Sequence, residues 1–212
     1  MSADRKGRKK EEEEEFSLTK EIFSYIKLII GAILIAFLLT HFVIVNAIIP
    51  SGSMENTIMT HSRVIGSRLS YLSSGPQRGD IVIFKYPVDE DVLYIKRVIG
   101  LPGETVEIKE GKIYINGSSE PLKEDYLPEE WTYCNDGYTF QVPEGSYLML
   151  GDNRNVSLDA RFWSEEAVKA GLASTSEEAA GYTYVAKDKI LAKAFLVYWP
   201  LSDLKLLKQA QY

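Results

Sequence analysis

The sequence predicts a mainly β protein with a single N-terminal transmembrane helix followed by an extracytoplasmic all-β domain, and three observations carry that prediction. An uncharged run of 22 residues, Leu28 to Ile49, is long enough for a helix to cross about 30 Å of hydrocarbon. After it the chain breaks into short apolar runs bounded by turn residues. A hydrophobic share of 45% with 25% charged residues over 212 positions fits a folded chain of one ordinary domain plus an anchor.

Taken in order, residues 1–16 carry the blocks RKGRKK and EEEEE and read as a solvated, disordered tail. The apolar run that follows competes with a cleavable leader, because VNA (Val45, Asn46, Ala47) offers a small residue at its end. Such leaders have an apolar core of only about 7 to 15 residues, so a retained anchor is expected. Arg5, Lys6, Arg8, Lys9, Lys10, Lys20 and Lys27 precede the run, whereas the first cations after it are Arg63 and Arg68. That asymmetry predicts a cytoplasmic N-terminus and an external domain.

Beyond the anchor, IIPSGSMENTI makes a sharp turn around Pro50 and Gly52 and carries two serines. The runs DIVIFKYP, LYIKRVIG, ETVEIKEGKIYING, SYLMLGDN and KILAKAFLVYWP read as strands, with a hairpin turn at KEGK. Pro121 to Gly137 reads as an excursion between strands, outside the core. Ser164 to Tyr182 reads as helical, with Ser164 and Ser176 as N-caps ahead of acidic residues. A net charge of −6 argues against a nucleic-acid binder. The single cysteine, Cys134, forms no internal disulfide, and no Cys/His cluster has metal-ligand spacing.

One strand is chemically unusual. In LYIKRVIG, Tyr94, Lys96 and Val98 share one face and Ile95, Arg97 and Ile99 the other. If both faces are covered, at least one cation is buried, and a buried arginine requires a carboxylate. A buried lysine has a second option: desolvation lowers its pKa, and the neutral amine is then a base for a neighbouring hydroxyl. A lysine whose head reaches water is the plainer alternative. The polar turn GDNRNVSLDARFW, Gly151 to Trp163, offers carboxylates for Arg97 and an Asp159/Arg161 pair, or is simply a loop bonded to itself. The two histidines, His41 inside the apolar run and His61 in MTHSR, lack a context for Ser-His-Asp chemistry.

With the anchor, PSGSM, YIKRVIGLPG, GDNRNVSLDAR and KDKILAKAF in this order, the chain resembles the bacterial type I signal peptidases, membrane-anchored Ser/Lys proteases. The resemblance runs from about Phe16 to Pro200. It implies a signal-peptidase-like domain over 50–212, with a small inserted β subdomain at about 104–142 and a helical insertion at about 164–182. A tail at 1–27 and a transmembrane helix at 28–49 precede it. The implied reaction is cleavage of N-terminal signal peptides from secreted preproteins after small-x-small sites at the outer membrane face.

Residue by residue, the resemblance implies Ser53 as nucleophile and Lys96 as general base, with the Ser51 hydroxyl and the Ser53 backbone N–H binding the oxyanion. It implies that Ser157 orients the lysine, that Arg97 pairs with Asp152, and that Asp159 pairs with Arg161. Ile49, Pro50, Met54, Ile58, Tyr94 and Ile95 fall where the family lines its shallow pockets. Signal peptides and membrane lipid are the implied partners, with the secretion translocon as a further candidate; no cofactor or metal is implied. Ala160 departs from a common serine, Ala186 and Ala192 from a common Pro and Gly, and the Ser164–Tyr182 stretch is longer than in many relatives. Self-cleaving repressors that share this fold, and a non-enzymatic anchored β-domain that binds an external partner, are the competing readings. The first would carry a DNA-binding domain in place of the anchor, and the second would tolerate Ser53→Ala.

Overall fold

The computed structural model describes residues 3–210 and 212, with side chains from Leu18 onward, and divides into two compact units, Met1–Val43 and Ile44–Tyr212. In the first unit, helix α1 spans Ala3–Leu38 and is followed by one π-helical turn, Leu39–Val43. Among the described residues, Leu18–Val43 is the one helical stretch long and apolar enough to cross a membrane. The tail expected to be disordered over residues 1–16 is instead part of α1 from Ala3 onward, and its side chains lie outside the described residues.

The apolar run from Leu28 to Ile49, expected as one helix, is divided between two structures. Its last part, Ile44–Ile48, is strand β1, paired antiparallel with β2 (Arg63–Ser67), with Ala47 opposite Val64. Hydropathy does not separate the end of a spanning helix from a strand, and β-branched Ile44, Val45 and Ile48 suit the pleat. The VNA tripeptide is therefore built into a sheet.

The strands continue as β3 (Ile81–Tyr86), β4 (Asp89–Gly100), β5 (Thr105–Lys109), β6 (Lys112–Ile115), β7 (Tyr138–Gln141) and β8 (Ser146–Leu150). Then come β9 (Val185–Ala186), β10 (Ile190–Trp199) and β11 (Lys205–Leu206). The larger sheet has the order β1-β2-β10-β3-β4-β8-β9, with β11 on β10, and the smaller one β6-β5-β7. Strand β3 is covered on both faces: Val82, Phe84 and Tyr86 enter one core with Trp163, and Ile81 and Ile83 enter another with Ile49, Met54 and Ile58. Two-sided burial is why IVIF lacks polar alternation. The β5–β6 turn places Glu110 and Gly111 at φ 49° and 72°, the two left-handed residues that such a tight hairpin requires.

Two expectations are corrected. Residues 121–137 are irregular but not wholly outside the core, because Trp131 is only 3% exposed and packs into the larger cluster. Helices α2 (Trp163–Lys169) and α3 (Ser176–Ala180) lie where helix was expected, but Ser164 and Ser176 are not their caps. Buried Trp163 opens α2, and Thr175, with extended backbone, accepts the capping bond from Glu178 N–H.

Candidate active site

The serine turn is held from below. Ser51 is extended and leads into a single 3-10 turn, Gly52–Met54, while Met54 and Ile58 are fully buried in the core. Asn56 follows in the left-handed region at φ 74°, a conformation Asn tolerates better than most residues. Ile49 N–H donates to Ser62 O at 2.9 Å and His61 N–H to Ile49 O at 2.7 Å. Ser53, 5% exposed, is thereby presented from a backbone fixed on both sides.

Strand β4 brings Lys96 to it. Lys96 Nζ lies 2.7 Å from Ser53 Oγ and donates to Ile95 O at 3.1 Å. As an ammonium it donates to the serine; as a neutral amine it can instead accept the serine proton. Both cations of YIKR are buried, Lys96 at 4% and Arg97 at 2% exposure, so β4 is covered on both faces from Ile95 onward, and the lysine head is nearly withdrawn from water at the wall of a cleft. Burial holds its amine below the ordinary lysine range, at about 8, against the raising influence of Asp159 and Asp152.

Those two carboxylates are each engaged by an arginine. Asp152 accepts from Arg97 Nε at 2.7 Å and from its terminal nitrogen at 2.6 Å, and Arg97 also donates to Gly79 O. Asp159 accepts from Arg161 Nε at 2.8 Å and from Gly151 N–H at 3.1 Å. Such bidentate pairing makes burial of the charges tolerable. Thr57, not singled out from the sequence, donates to Asp152 at 2.5 Å and so ties the serine turn to the Arg97 pair. Asn153 N–H donates to Ser53 O at 3.1 Å. Gly151 allows this approach, because a Cβ there would lie 2.2 Å from Ser157 Oγ and 2.5 Å from the Ser53 carbonyl oxygen.

Ser157 is buried beside this network, but its Oγ has no hydrogen-bond partner and does not bond Lys96, whose bonds go to Ser53 and Ile95. Ser51 is exposed. A cleft of about 580 Å³ opens over the serine and lysine, lined by Ile49, Pro50, Ser51, Tyr94 and Ile95 among others. Met54 and Ile58, expected on the pocket walls, lie instead in the core beneath, since the turn needs apolar anchors. Ala47, Ile48, Val92, Leu93, Val156 and Leu158 also line the cleft. Exposed apolar residues in strands and loops carry no sequence signal of their own, so these were not foreseen.

A β domain presenting a buried serine against a buried, pKa-depressed lysine has the parts of a serine peptidase. The family model described as "Signal peptidase, peptidase S26" matches residues 22–199. A probable signal peptidase I-2 of Synechocystis is 34% identical over 189 residues, covering 85% of this chain and 75% of the relative. Signal peptidase IB of Staphylococcus aureus is 31% identical over 204 residues, covering 89% and 95%. A crystal structure of a signal peptidase I from Enterococcus faecalis aligns with 56% of this chain and 95% of its own at a TM-score of 0.41 and 32% identity. The chain belongs to the signal peptidase family, peptidase S26, and is a serine endopeptidase of the signal peptidase I type.

Proposed function

We propose that Ser53 and Lys96 form the dyad with which this chain cleaves signal peptides after small-x-small sites. Neutral Lys96 takes the Ser53 proton as Oγ attacks the scissile carbonyl, and the resulting ammonium protonates the leaving amine. The Ser51 hydroxyl and the Ser53 N–H receive the developing oxyanion. Lys96 then activates the water that hydrolyses the acyl-enzyme. Arg97–Asp152 and Arg161–Asp159 hold the dyad's surroundings, and Ser157, buried beside them with its Oγ unpartnered, is the hydroxyl assigned to orient the lysine.

The carrying observation is the 2.7 Å contact between Ser53 Oγ and a lysine that burial keeps near a pKa of 8. Ile49, Pro50, Tyr94 and Ile95 contact the residues before the cut, with Met54 and Ile58 shaping the pockets from beneath. One methylene gives only about 1 to 3 kcal/mol of discrimination, so backbone pairing must add to recognition. Strand β4 pairs with β8 only from Arg97 onward, which leaves the cleft-facing edge of Val92 to Lys96 available to an added strand.

The Leu18–Val43 helix serves as membrane anchor, with the N-terminus cytoplasmic and the β domain outside, and lipid and the translocon are the surroundings it works in. Anchoring enzyme and substrate in one membrane raises their effective concentration. The test is preprotein cleavage by the full-length protein in detergent, with the product N-terminus read by mass spectrometry. A cut after a small-x-small site, lost in Ser53→Ala and in Lys96→Ala, is expected; a cut that survives either change removes the dyad.

A further inference from the structure

We propose that the stretch Glu124–Tyr133, in the irregular segment between β6 and β7, is a clamp that positions the dyad, with Tyr126 as its central positioning residue. The inference rests on the Ser53/Lys96 reading above and assigns the segment a role in that chemistry.

Three segments far apart in sequence meet at the dyad: the serine turn, strand β4 and the loop Gly151–Arg161. One stretch touches all three. The Tyr126 ring covers the Arg97 guanidinium, with Arg97 Cζ 4.0 Å from the ring centroid. The Tyr126 carbonyl accepts from Asn56 Nδ2, in the serine turn, at 2.9 Å. The Tyr126 hydroxyl donates to Glu124 at 2.5 Å, and that carboxylate takes both terminal nitrogens of Arg154, at 2.5 and 3.2 Å. Trp131 lies under Arg154 and Arg161, at 4.7 and 5.1 Å. Asn155 Oδ1 accepts the N–H groups of Thr132 and Tyr133.

The physical consequence follows from Arg97. Its edge is bound to Asp152, and Asp152 also holds Thr57 of the serine turn. The Tyr126 ring lies against the guanidinium face, on the wall of an open pocket lined by Thr57, Arg97 and Tyr126 among others. A cation covered by an aromatic face and bonded at its edge has little room to reorient. Without the ring, water reaches the guanidinium and Asp152 is less fully neutralised. Lys96 faces Ser53, the Tyr94 ring at 5.1 Å, and the charges of Asp152 and Asp159, with Arg97 next to it on the strand. A less neutralised Asp152 holds more protons on Lys96, and a displaced serine turn lengthens the reacting contact.

The test uses full-length protein in detergent and preprotein cleavage. Tyr126→Leu should lower kcat about tenfold with KM within about twofold, because misplacement of reacting groups acts on the transition state. Its kcat/KM profile should have its acid limb moved to higher pH, which a loss of stability alone would not do. Tyr126→Phe keeps the ring and should retain kcat within about twofold. Asn56→Gly removes the amide that donates to Tyr126 while still accepting the left-handed backbone, and should lower kcat several-fold; it decides the matter if Tyr126→Leu does not fold. Folded Tyr126→Leu with wild-type kcat and acid limb, equal loss in Tyr126→Leu and Tyr126→Phe, or an Asn56→Gly protein with unchanged kcat would each overturn the clamp. Ser53→Ala and Lys96→Ala are assayed in parallel. If both are dead while Tyr126→Leu is fully active, only the clamp fails; if either still cuts, the dyad itself fails.

Discussion

Lys96→Met should inactivate the protein and at the same time make it more stable at neutral pH. In the folded state burial holds the lysine near 8, against an ordinary value of 10.5. Between those two values the unfolded chain carries a proton that the folded chain has lost, so wild-type stability rises with pH across that window. Below pH 8 the full cost is present. At 1.36 kcal/mol per pH unit the gap corresponds to about 3 kcal/mol. Methionine fills much the same volume without a charge, and loss of the contact to Ser53 Oγ returns about 1 kcal/mol of this. A net gain of about 2 kcal/mol at pH 7 is therefore expected, shrinking to nothing or slightly negative above about pH 10.5. Urea unfolding of both full-length proteins in detergent, at pH 7 and pH 10.5, measures the two differences. A variant no more stable than wild type at pH 7, or a difference that does not change with pH, would refute the view that burial depresses this lysine.

The same depression sets the pH dependence of turnover. Because only the neutral amine can act, kcat/KM should rise about tenfold per pH unit below 8 and level off above it, and a profile flat from pH 6 to 9 would exclude Lys96 as the base. Gly151→Ala places a Cβ against Ser157 Oγ and the Ser53 carbonyl oxygen, so kcat should fall by at least about tenfold; cleavage assays check it, and an active variant would mean the turn and loop can separate freely. Asp159→Ala leaves a fully buried Arg161 unpaired, a cost of about 3 to 5 kcal/mol and a Tm lower by about 10 °C, which calorimetry would show.

How much of this was legible in the sequence depended on whether the signal was local. The alternation of YIKR put a lysine and an arginine on opposite faces of one strand, and burial on both sides then required a counter-ion for Arg97, which Asp152 supplies. The turn at KEGK was readable because a tight hairpin demands left-handed residues at that spot. The end of the membrane helix was not readable, since Ile44 to Ile48 is as apolar as the helix before it and only its pairing with β2 makes it a strand. Met54 and Ile58 sit in the serine motif yet are core anchors, because a turn that presents Ser53 still needs apolar side chains beneath it. Tyr126 was the least visible of all. It lies in a stretch without periodicity, and nothing in its neighbours' chemistry points to Arg97, which precedes it on another sheet. Its contacts to Arg97, Asn56 and Arg154 all join residues far apart in sequence. Local pattern therefore exposed the buried cations of β4 and the resemblance pointed to Ser53, while the contacts that surround them were set by long-range packing. A residue that positions an active site through an irregular segment is the kind that a reading by motif passes over.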